Sequence, residues 1–121
     1  MSWLLVAIGG ALGSVLRYGA YRLWPSASGG WPVPTFTVNV LGSFAIGLLY
    51  MYVAARGLGA ENARLFWMTG VLGGFTTYSA FALETALLGF TAAGIGYVLA
   101  TVAGCLLAAF AGMKIAAAMI A

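Results

Sequence analysis

Only seven charged side chains interrupt this 121-residue chain, and their placement decides what it can fold into. The runs 35–55, 65–83 and 85–113 carry no charge at all. Each reaches or approaches the roughly 20 residues that a membrane-spanning helix needs, and 3–24 does so if Arg17 and Arg22 are tolerated. With 64% hydrophobic residues, 6% charged residues and a mean hydropathy of +1.06, the chain reads as an all-α membrane protein. Spans near 3–24, 34–56, 63–89 and 91–118 use nearly everything, so 1–121 is a single membrane domain. The net charge of +3 is too sparse for a nucleic-acid surface. The start Met1-Ser2-Trp3-Leu4 lacks the basic n-region of a signal peptide and reads as the first span, retained.

The third span contains its own contradiction. Gly70 to Phe81 lie mid-span, yet adjacent glycines and adjacent threonines both weaken a helix, so a break is expected there. Irregular backbone at membrane depth survives only where it is buried in protein or faces water or an ion. The stretch therefore reads as an ion or substrate site on a discontinuous helix, with a Gly-rich packing interface as the plainer alternative. Enzymatic chemistry is excluded cheaply. With no His, no Asp and two Glu, there is no paired-carboxylate, Ser-His or zinc constellation, and the single Cys105 permits no intrachain disulfide.

Polar residues inside spans are the remaining candidates. Gly9, Gly13 and Arg17 recur every four residues, which puts a glycine groove and a guanidinium on one face of the first span. Arg17 is either a functional cation or one that snorkels to the headgroups. Asn39 in the second span reads either as interhelical glue or as an anion donor whose carbonyl ties to a neighbouring helix. Tyr78 and Phe81 share a helix face and carry positive ring edges, while Glu84 is the one acidic residue inside a span. In the fourth span a small-residue ridge (Ala100, Gly104, Ala108, Gly112) runs beside a polar track of Tyr97, Thr101 and Cys105. The Pro, Gly and Ser content of 24–34 predicts a loop, with Trp24 and Trp31 marking its membrane interface. The small-residue stripes are expected to drive subunit association.

Three blocks, Gly9 to Tyr18, Thr37 to Phe44 and Gly70 to Phe81, resemble the signature blocks of the CrcB/Fluc fluoride channels, in the same order and at similar spacing. The resemblance covers the whole chain. It implies an antiparallel, dual-topology homodimer in the bacterial plasma membrane, passing fluoride out of the cell and conferring fluoride resistance, with a structural sodium ion at the dimer centre. Carried over position by position, it implies sodium held by the backbone carbonyls of Gly73 and Thr76. The fluoride pore would then be lined by Asn39, Tyr78 and Phe81, with Arg17 in the vestibule, and with Ser79, Thr35, Glu84, Tyr97, Thr101 and Cys105 as polar positions along it. Two residues depart from the pattern: Tyr78 stands where a Phe is usual, and Cys105 where a Ser is common. The competing reading is a small proton-coupled exporter with four spans, for which only Glu84 is available as the proton-exchanging carboxylate.

Overall fold

The computed structural model describes residues 1–24 and 30–121, so part of the loop expected over 24–34, residues 25–29, lies outside the described residues. Among the described residues, four helices are long and apolar enough to cross a membrane. The first, α1, is Ser2–Leu23, and the second, α2, is Val33–Arg56. The third span divides into α3, residues 61–75, and α4, Tyr78–Leu88, and the last helix, α5, is Ala92–Ile120. Each expected span is therefore present within two residues of its expected ends.

Most of α3 is not ordinary α-helix: Arg64–Leu72 is wound as a π-helix, a geometry concentrated at functional sites. Gly57 and Gly89 close α2 and α4 with φ of 71° and 67°, a left-handed backbone that glycine adopts without penalty. The Glu61–Arg64 pair at the start of α3 is exposed at 2.8 Å and contributes little to stability.

The helices pair as α1 against α3 and α2 against α5. Both pairings depend on glycine. A Cβ on Gly13 would meet the Val71 carbonyl and the Phe75 amide, and one on Gly70 would approach Gly9 at 2.9 Å. On the other pair, a Cβ on Gly47 would meet the Ala109 carbonyl and one on Gly112 the Phe44 carbonyl. The backbones approach as closely as small-residue helix contacts in membranes allow. This corrects the expectation about the stripes: Gly9 and Gly13, and the ridge ending in Gly112, are consumed inside the chain and are not available to a second subunit. Gly13→Ala should therefore destabilise the fold by about 1–3 kcal/mol through overpacking. Gly19→Ala, where nothing lies within 4 Å, should stabilise by about 0.5–1 kcal/mol. Unfolding midpoints of the two variants in detergent micelles check both signs.

Candidate functional site: the break in the third span

The third span breaks at the threonines, not at the glycines. Gly73 and Gly74 remain helical, and the backbone becomes extended at Thr76 (φ −82°, ψ 157°) and Thr77 (φ −148°, ψ 117°). Gly74 is needed for packing instead, since a Cβ there would sit 2.5 Å from the Gly10 carbonyl and 3.1 Å from Ser14. Each threonine then caps one side of the gap. Thr76 turns both its N–H (3.0 Å) and its hydroxyl (2.9 Å) back onto the Leu72 carbonyl, while the Thr77 hydroxyl accepts the Ala80 N–H at 3.1 Å as the N-cap of α4.

Two side chains from other helices hold the gap open. Asn39 of α2 accepts the Thr77 N–H on its Oδ1 at 2.8 Å and donates its Nδ2 to the Thr77 carbonyl at 3.0 Å, so one carboxamide satisfies both backbone groups of one residue. Arg17 of α1 donates its Nε to the Gly74 carbonyl at 3.1 Å. Leu72, Gly74 and Thr77 carbonyls are thereby engaged. Among the described residues no hydrogen bond ends on the carbonyls of Gly73 or Thr76.

Beside the gap lies an open groove of about 370 Å³, lined by Asn39, Gly73, Thr76, Tyr78, Phe81, Thr101 and Cys105 among others, and by no charged residue. The two rings are set edge to face, with centroids 5.6 Å apart at 73°. They differ sharply in exposure: Phe81 is buried and Tyr78 is 81% exposed. Thr101 and Cys105 thus reach the groove from the α5 track as expected, and the Thr101 hydroxyl is buried without a partner.

The other expected pore residues sit behind or beside this groove. Tyr97, the third member of the track, is fully buried against the far side of Phe81, ring centroids 5.3 Å apart. Thr35 is also fully buried, beside Tyr97 and Glu84, and its hydroxyl bonds to Tyr21 at 2.5 Å. Glu84 points one carboxyl oxygen inward, where it has no partner. Ser79 is exposed, with its hydroxyl 3.4 Å from that of Thr77, and does not line the groove. Arg17 likewise stands apart from it, on the α1 side of the gap. Trp31, just before α2, packs its ring on Phe36 and Tyr97, each at 5.9 Å. Sequence reasoning missed Thr77, Gly74 and Tyr21. Of these, only Thr77 carried a readable signal, a hydroxyl at the start of a resumed helix.

The chain matches the family model described as CrcB-like protein, Camphor Resistance (CrcB), over residues 4–113. It is 45% identical to a fluoride-specific ion channel FluC of Paracoccus denitrificans over 117 residues, covering 94% of this chain and 93% of that protein. A protein of the same name from Rhizobium meliloti is also 45% identical, over 97% of both chains. One from Caulobacter vibrioides is 53% identical over 90 residues, 70% of this chain and 68% of that protein.

Proposed function

This chain belongs to the CrcB-like protein family, and from that premise we propose that it is a passive, fluoride-selective channel that lets fluoride leave the bacterial cytoplasm across the inner membrane. It is a multi-pass membrane protein, with four apolar helices long enough to span. The observation that carries the reading is the character of the groove. It offers positive ring edges, a threonine hydroxyl, a thiol and the second N–H of Asn39, and no full charge. Such a lining attracts a small anion without trapping it, which is what conduction requires. Asn39 keeps this role with half of its amide: one N–H is committed to Thr77, and the other remains to donate.

A sodium ion fits the gap chemically. The Gly73 and Thr76 carbonyls are hard oxygens that accept no hydrogen bond among the described residues, and both residues line the open groove. Bound there, the ion supplies the positive charge that satisfies those two carbonyls. A second copy laid antiparallel across the groove doubles the oxygen set and covers the exposed Tyr78. The charges support insertion both ways up. Counting from the helix ends, Arg56, Arg64 and Lys114 share the side of the N-terminus against Arg22 on the other, with Arg17 left uncounted beside the gap, and that bias is slight.

The proton-coupled exporter is separated from this reading by one measurement. Purified protein in liposomes should release fluoride with no pH gradient, and Glu84→Gln should reduce that release without abolishing it. A strict need for a proton gradient in the parent favours the exporter instead.

A further inference from the structure

A serine or threonine inside a helix can satisfy its hydroxyl on the carbonyl four residues back. Thr76 and Thr85 do so, donating to the Leu72 and Phe81 carbonyls at 2.9 and 2.8 Å. Ser43, in the middle of α2, does not. Among the described residues its hydroxyl makes no hydrogen bond, with the Asn39 carbonyl or with any other group. Ser43 is half-buried and lines the groove, and its oxygen is not enclosed by protein as the Thr101 oxygen is. It stands one helical turn from Asn39 on the same face of α2, so the two reach the groove one turn apart. A Cβ on the neighbouring Gly42 would meet the Thr76 methyl, which puts Ser43 beside the Gly73–Thr76 end of the gap. The wall that follows, made by Ile46, Met68 and Leu72, is apolar.

We infer that Ser43 is a second ion-contacting residue on α2, whose hydroxyl donates a hydrogen bond to the fluoride ion one turn away from Asn39. On the channel reading, on which this inference rests, an anion that has shed water needs donors close together along its path. Of the four α2 residues that line the groove, Asn39, Gly42, Ser43 and Ile46, only Asn39 and Ser43 carry a side-chain donor. Without Ser43, the α2 wall offers the ion nothing between Asn39 and the apolar end. The hydroxyl suits the task because it donates a proton, carries no charge that would trap an anion, and is short enough to leave the groove open. It is also a group that the helix itself does not need. It bonds nothing in the chain, and alanine has the better helix propensity at such a position.

The test is fluoride efflux from liposomes over a range of fluoride concentrations, at equal incorporation and at low and high sodium, for the parent, Ser43→Cys and Ser43→Ala. Ser43→Ala should raise the fluoride concentration at half-maximal rate, and below that concentration should lower efflux about tenfold, the scale of one hydrogen bond to an ion. Ser43→Cys, which keeps a weaker donor on a larger atom, should fall between the parent and Ser43→Ala. A role in packing alone leaves the half-maximal concentration in place, or orders the variants by size with Ser43→Ala the fastest, and either result overturns the inference. So does a Ser43→Ala indistinguishable from a conducting parent. An effect that vanishes at high sodium assigns the hydroxyl to the cation and overturns it as well. The unfolding midpoint of Ser43→Ala in detergent micelles should match or exceed that of the parent, and a lower one makes the hydroxyl structural, against the inference. A parent that passes no fluoride defeats the channel reading itself, an outcome distinct from these.

Discussion

Phe81→Ile should lower fluoride efflux about tenfold or more at equal incorporation, whereas Tyr78→Phe should stay within about twofold of the parent. The two rings differ in what they touch. Phe81 is buried between Tyr78 and Tyr97, at 5.6 and 5.3 Å, so it joins the open groove to the Tyr97 ring behind it. Isoleucine keeps much of the bulk but removes the positive edge and both aromatic contacts, each worth about 0.5–1.5 kcal/mol beyond its area. Tyr78 is 81% exposed, and its hydroxyl makes no hydrogen bond among the described residues, so deleting it disturbs nothing inside the chain. On this account a tyrosine where the resemblance expects Phe should conduct, because its phenol oxygen bonds nothing among the described residues. If Phe81→Ile conducts like the parent while Tyr78→Phe is dead, the ring-edge account is wrong and the Tyr78 hydroxyl is the ligand.

The spans were legible because hydrophobic length is a one-dimensional property: the uncharged runs between Arg22 and Arg56, Arg64 and Glu84, and Glu84 and Lys114 give helices close to where they are found. The existence of a break was legible for a similar reason. Its position was not. Gly73-Gly74 has the weaker helix propensity, yet close packing on Gly10 and Ser14 keeps those glycines helical, and the chain opens where Thr76 and Thr77 supply their own caps. Tertiary contact overrode propensity there. The same limit applies to the stripes. A run of small residues shows that something packs closely, but not whether the partner is another helix of the chain, as for Gly13 and Gly112, or a second copy. The Trp31–Tyr97 and Tyr21–Thr35 contacts were not legible because they join residues 66 and 14 positions apart that no local pattern connects.

Asn39, read from the sequence either as interhelical glue or as an anion donor, is the residue whose substitution carries the largest expected effect on stability. As an anion donor alone, Asn39 would be dispensable to the fold. It also bonds the N–H and the carbonyl of Thr77 together, where Thr77 is buried. Asn39→Ala leaves the buried Thr77 N–H without a partner and takes a second donor from the Thr77 carbonyl, which as the N-cap of α4 still accepts the first N–H of that helix; it should lower stability by about 1–3 kcal/mol, and with it the unfolding midpoint at every pH tested. Asn39→Asp separates the two bonds. Protonated, the new carboxyl accepts the Thr77 N–H and donates its O–H to the Thr77 carbonyl, reproducing both contacts. Ionised, it still accepts the N–H but sets an acceptor against the carbonyl, and one bond becomes a repulsion. The aspartate variant should therefore fall further below the parent as the pH is raised from about 5 to about 8, while the alanine variant keeps a constant deficit. Its fluoride efflux, compared with the parent at each pH, should decline over the same range. An aspartate deficit that does not change with pH, or an alanine variant as stable as the parent, means that the carboxamide does not hold the gap and that Asn39 acts on the ion alone.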